Sequence, residues 1–131
     1  MIWLDRRDVE AFHSLQIIEF GGLPGLRDAG ALESAIARPL NLSAYLEPSV
    51  FECAASYAFG IARNHPFADG NKRTALVASF TFLDLNGWEV TAPEEQAVLV
   101  FLDLASGKMP EKELARWLES NSRRNSARKG E

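Results

Sequence analysis

Residues 71–87 read NKRTALVASFTFLDLNG. Ala75, Leu76, Val77, Phe80, Phe82 and Leu83 leave almost no polar stripe for solvent, so the segment predicts a helix buried on nearly all sides. Asn86-Gly87 supplies a carboxy-terminal stop. Such a helix needs neighbours all round it, and the flanking sequence provides them. Upstream, Ser49 and Glu52 have the spacing of a capping box. They launch a helix through Phe51, Ala55, Phe59 and Ala62 that breaks at Asn64-His65-Pro66. Earlier still, Asp5 caps a helix carrying Val9, Phe12, Gln16 and Phe20, stopped by Gly21-Gly22. Asp28 or Gly30 opens a short helix through Leu32, Ala35 and Ile36. It is expected to end near Arg38, because Pro39 lacks an N–H and crowds the preceding turn. Residues 38–48 hold two prolines and no clear period, and read as a long loop or flap. Downstream, Thr91 and Glu94 repeat the capping-box spacing, with Pro93 in the first turn, for a helix ending at Ser106-Gly107. Pro110 opens another, with Leu114, Trp117 and Leu118 on one face. Only Trp88-Glu89-Val90 looks like a strand. The expected fold is all-α, a compact bundle of about six helices with the polar loop before Asn71 leading into the central buried one.

Composition narrows the function. The 131 residues are 47% hydrophobic and 24% charged, which suits one folded domain. The net charge of −4 is unevenly spread: the stretch from Asn121 carries +3, leaving −7 on residues 1–120. An acidic body argues against non-specific nucleic-acid binding and suits a basic partner segment. Residues 121–131 read as a basic, disordered tail following a domain over residues 1–120. The single cysteine, Cys53, excludes an internal disulfide and reads as a buried filler. The longest uncharged runs, residues 53–62 and 74–83, are ten residues each. A membrane span needs about 20 residues. With charges at once in MIWLDRRD, where a secretory signal would need its apolar core, a cytoplasmic protein is expected.

One stretch carries chemistry: residues 65–75, His-Pro-Phe-Ala-Asp-Gly-Asn-Lys-Arg-Thr-Ala. A polar loop runs straight into the amino end of an apolar helix, where unpaired N–H groups and the helix dipole favour an anion. Gly70 permits close approach of a ligand. Lys72 and Arg73 stand where they oppose the dipole, so an external anion, most naturally phosphate, explains them better than helix stability does. Asp69 fits a Mg²⁺ ligand beside a polyphosphate, or an N-cap. His65 supplies an imidazole, the side chain that can be neutral at pH 7 and still accept a proton. A hydroxyl attacking phosphorus needs such a base. Phe67 is expected to point inward and anchor the loop. His13 is expected to be structural or superficial, and the three tryptophans to be core or rim.

The segment resembles the Fic/Doc signature, His-x-Phe-x-(Asp/Glu)-Gly-Asn-(Gly/Lys)-Arg, at His65, Phe67, Asp69, Gly70, Asn71, Lys72 and Arg73. Asn-Lys-Arg-Thr-Ala followed by Leu76 resembles the death-on-curing branch. So do GLRDAGALESAIARP at residues 25–39 and YAFGIARNHPF at residues 57–67. The resemblance implies an all-α fold and a nucleotide-dependent transferase acting as the toxin of a toxin–antitoxin pair. In it His65 would be the general base, Asp69 would hold Mg²⁺ or position the target hydroxyl, and Gly70, Asn71, Lys72 and Arg73 would cradle the phosphates of ATP. Residues 38–49 would correspond to the flap that aligns the target.

Adenylylating members resemble Gly-Asn-Gly-Arg-x-x-Arg, whereas Lys72 and Leu76 stand here at the variable positions. That pattern implies a kinase that passes the γ-phosphate of ATP to elongation factor Tu. AMP transfer is the alternative reaction. A non-catalytic module that binds its antitoxin and modulates operator binding is the alternative class, although binding alone needs neither His65 nor Asp69. Residues 43–47 approach the family's autoinhibitory pattern, but Pro48 fails its last position. The brake is therefore expected on another chain, an antitoxin whose amphipathic segment folds on contact. DNA would be reached only through that antitoxin.

Overall fold

The computed structural model describes residues 1–125. Six helices follow one another: α1 (Arg6–Phe20), α2 (Ala29–Tyr45), α3 (Val50–Asn64), α4 (Asn71–Leu85), α5 (Glu94–Ser106) and α6 (Glu111–Ser120). Two short strands, β1 (Trp88–Val90) and β2 (Ser122–Arg124), pair antiparallel with Glu89 opposite Arg123.

The helix starts follow local chemistry. Asp5 accepts from the Asp8 amide at 3.0 Å while the Asp8 carboxylate accepts from the Asp5 amide at 2.8 Å. Ser49 and Glu52 exchange the same pair of bonds at the head of α3, at 3.1 and 2.9 Å. Two donors that the helix leaves orphaned are satisfied at each end.

α3 is the deepest element. Cys53, Ala54, Ala55, Tyr57, Ala58, Ile61 and Ala62 are fully buried, and α2, α4, α5 and α6 pack around them. Small side chains let the axes approach. A Cβ added at Gly60 would stand 2.9 Å from the Ala35 backbone of α2. α4 lies against α1, α3 and α5, with Phe82 and Leu83 buried and the Phe82 ring beside Tyr57 and Trp3. It is central as expected, yet less enclosed than α3.

Three expectations are corrected. α2 does not end near Arg38: it continues through Pro39 to Tyr45. Leu32, Ala35, Ile36 and Pro39 form one buried stripe at helical spacing, and this packing against α3 outweighs the hydrogen bond that proline forfeits. Thr91 does not cap α5. Its amide and hydroxyl both donate to the Asn121 carbonyl, at 2.7 and 3.1 Å, and the helix begins after Pro93 without a side-chain cap. The stretch from Asn121 opens with an ordered strand. Arg124 lies over the Trp88 ring at 4.4 Å and Arg123 pairs with Glu89 at 2.7 Å. The rest of the expected tail, residues 126–131, lies outside the described residues.

Candidate active site

α3 ends at Asn64, and His65 turns the chain with φ 49° and ψ 58°. A left-handed conformation costs a side-chain-bearing residue roughly 1–2 kcal/mol, so something must hold it. Arg27 does so. Its Nε donates to the His65 carbonyl at 2.8 Å and a terminal nitrogen donates to the Asn64 carbonyl at 3.1 Å, closing the carboxy end of α3 with a cation. The imidazole itself is left exposed, with no hydrogen-bond partner among the described residues.

The loop that follows is clamped by the segment before α2. The amides of Arg27 and Asp28 donate to the Pro66 carbonyl at 2.8 and 3.0 Å, the Ala68 amide donates to the Gly25 carbonyl at 3.1 Å, and Leu26 bridges Phe67 antiparallel. The flap beside the motif is therefore residues 21–28. It is not residues 38–49, which α2 largely absorbs.

Phe67 points inward as expected and is 2% exposed. Its ring stacks on His13 of α1, centroids 3.9 Å apart and planes within 5°. Asn71 is buried, and its side chain is committed to the loop: Oδ1 accepts from the Phe67 amide and Nδ2 donates to the Phe67 carbonyl, both at 3.0 Å.

Asp69 is exposed but fixed on several sides. Its Oδ1 accepts from the Gly70 amide at 2.9 Å and its Oδ2 from the Leu23 amide of the flap at 3.2 Å. Gly22 lets the flap come this near: its φ is 114°, and a Cβ there would stand 2.7 Å from Asp69 Oδ2. Gly70 takes φ 75° at the head of α4 and supplies no side-chain cap. The amides of Asn71, Lys72 and Arg73 have no acceptor among the described residues.

His65, Asp69, Gly70, Asn71, Lys72 and Arg73 all line one open cavity of about 700 Å³, walled also by Phe20, Gly22 and the α5 residues Leu102 and Ser106. Lys72 is exposed, and neither it nor Arg73 has an acidic partner among the described residues. The Arg73 guanidinium lies 3.7 Å from the Phe20 ring centroid, a cation–π contact that holds the charge at the rim. No group of three metal-ligating side chains occurs among the described residues. One carboxylate is nevertheless a sufficient protein contribution for a Mg²⁺ that arrives with phosphate oxygens.

The polar motif residues read from the sequence share this cavity, but sequence reading missed four supports: His13, Phe20, Arg27 and the Gly22–Leu23 turn. Gly21-Gly22 was the available signal, since paired glycines often mark close backbone approach as well as a helix stop. No local pattern marks Arg27 or His13.

The match to known proteins agrees with this geometry. The family model described as the Fic/DOC family matches residues 3–83, from the first helix through the motif and nearly all of α4. The chain belongs to the Fic/Doc family. It is 44% identical over 94 residues to Toxin Doc of Mycolicibacterium smegmatis, an alignment covering 69% of this chain and 68% of that protein. It is 43% identical over 90 residues to Protein kinase doc of Escherichia phage P1, covering 68% of this chain and 71% of the other. The Fic/Doc match thus spans the whole cavity wall except the part contributed by α5.

Proposed function

We propose that this chain is a kinase-type toxin, which passes the γ-phosphate of ATP to a serine or threonine hydroxyl of a translation protein and so arrests growth. Elongation factor Tu is the target that the family resemblance implies. The observation that carries the reading is the amino end of α4, which opens onto a cavity that also holds His65 with no side-chain cap, and with amides and two cations that have no acceptor or acidic partner among the described residues. The names of the two relatives, a toxin and a protein kinase, point the same way.

In this reading the target hydroxyl oxygen attacks the γ-phosphorus while His65 accepts its proton. The bond from the γ-phosphorus to the β-bridging oxygen breaks, ADP leaves, and a phosphate ester remains on the target. The amides of residues 71–73, with Lys72 and Arg73, hold the phosphates and offset their charge. Asn71 contributes its backbone amide, because its side chain secures Phe67. Asp69 would hold Mg²⁺, which supplies charge neutralisation across the phosphates when bound. Residues 21–28 stand where a target backbone would be aligned.

The brake is an antitoxin from another chain. Beside the cavity, Leu76, Val98, Phe101 and Leu102 of α4 and α5 line an apolar trough next to Lys72 and Arg73. An amphipathic segment ordered there would lie against the two cations that bind phosphate, and DNA would be contacted only through it. The site of action is the cytoplasm of a bacterium, with the chain encoded there or by a phage.

The test is the mass of the target after incubation with ATP and Mg²⁺. A gain of one phosphate is expected, lost in Asp69→Ala, whose thermal stability stays close to that of the original chain. A gain of AMP, or equal transfer with and without Mg²⁺, overturns the reading.

A further inference from the structure

His13 is 4% exposed, on the inward face of α1. A leucine would fill such a place with no polar atom to satisfy, and a buried polar ring costs stability unless it is hydrogen-bonded. The bond it makes is specific. His13 Nε2 lies 2.8 Å from the backbone carbonyl of Asp69. A carbonyl only accepts, so Nε2 must carry the proton and donate. The same nitrogen would be 3.8 Å from a Cβ placed on Gly70, so the His13 ring lies beside the left-handed turn that opens α4.

Asp69 is thereby held from three elements at once: α1 through His13, the flap through Leu23, and α4 through the Gly70 amide. The two side-chain bonds fix where the carboxylate is. The carbonyl bond fixes the peptide plane between Asp69 and Gly70, and with it the direction of the Gly70 amide and of the free amides after it.

We infer that His13 is a positioning residue of the transfer reaction, whose ring N–H sets the Asp69–Gly70 peptide so that carboxylate and amides face the same phosphates. The inference rests on reading the cavity as the transfer site. It separates the two contributions of the ring, stacking on Phe67 and donation to Asp69, and assigns the reaction to the second.

Two substitutions divide them. His13→Phe keeps a ring against Phe67 and removes the donor. His13→Gln places an amide nitrogen near the Nε2 position and removes the ring. Transfer is measured per folded molecule, with the folded fraction taken from urea unfolding and His65→Ala as the reference. His13→Phe is expected to keep most of its stability and lose about 10- to 100-fold in kcat/KM, the scale of a misplaced reacting geometry. His13→Gln is expected to be less stable and more active than His13→Phe. Any other ranking of the two activities overturns the inference. If His65→Ala itself transfers normally, the site reading has failed instead. A measurement on the unaltered chain stands beside these: the ¹⁵N spectrum of the imidazole should show Nε2 protonated, and an Nδ1–H tautomer overturns the assignment whatever the variants do.

Discussion

At the head of α3, Ser49 and Glu52 satisfy each other's backbone donors, and Glu52 places a negative charge at the positive end of the helix dipole. At the head of α4, Gly70 offers no side-chain cap, and the first turn carries Lys72 and Arg73 with no acid. Four of the six described helices have an acidic side chain in the first turn, so α4 departs from the chain's own habit. The two helices lie side by side in the core and are joined by the motif loop. Folding stability explains the first entrance and not the second. Free amides, an exposed Lys72 opposed to the dipole and a left-handed His65 add little to the stability of the fold, and together they suit a bound polyanion.

Substitutions at the two entrances should therefore act on different observables. The largest effect is expected for His65→Ala, which should fold normally and lose about 10²- to 10⁴-fold in transfer rate, the usual contribution of a general base. An alanine variant with the original rate removes His65 from the mechanism. Ser49→Ala should lose about 1 kcal/mol of stability, as capping residues do, with transfer per folded molecule unchanged. Urea unfolding and the transfer assay together check it. If Ser49→Ala lowers the rate of the folded molecules, the division between a structural and a functional entrance fails.

A separate effect concerns the buried face of α3 and pH. Burial pushes the Cys53 thiol up to about 11 from its ordinary 9.0, and the Tyr57 hydroxyl up to about 12 from 10.0, partly offset by the bond to the Leu4 backbone. Both groups keep their protons longer in the folded chain than in the unfolded one. Their contribution is complete below the unfolded values and is lost as pH rises through the folded ones. The urea midpoint should thus begin to fall above about pH 9 and keep falling toward about pH 11. A flat midpoint over that range contradicts the tight enclosure of α3.

Much of this was legible in the sequence where the cause is local. The capping box at Ser49 and the Asp5 cap need only neighbouring residues. The motif itself spans nine residues from His65 to Arg73, and the loop keeps them on one cavity. What escaped depends on partners far along the chain. Pro39 reads as a helix stop until the stripe it shares with Leu32, Ala35 and Ile36 meets α3. Thr91 reads as a cap until the Asn121 carbonyl, 30 residues on, takes its donors. Residues 38–49 read as the flap, but α2 absorbs most of them, and the hydrogen bonds between residues 25–28 and the pair Pro66 and Ala68 set the segment before α2 against the motif instead. His13 read as structural or superficial, and only the fold brings it onto Asp69, 56 positions away.

The central claim is that the α4 entrance, with Lys72 in place of the glycine of adenylylating relatives, presents the terminal phosphate of ATP to the target hydroxyl beside His65. It is tested most directly by running the transfer reaction once with ATP labelled on the γ-phosphate and once with label on the α-phosphate. Labelling of the target from the γ-position alone is the predicted result. Label reaching the target from the α-position would mean that AMP is the group transferred and that Lys72 does not set the nucleotide's orientation.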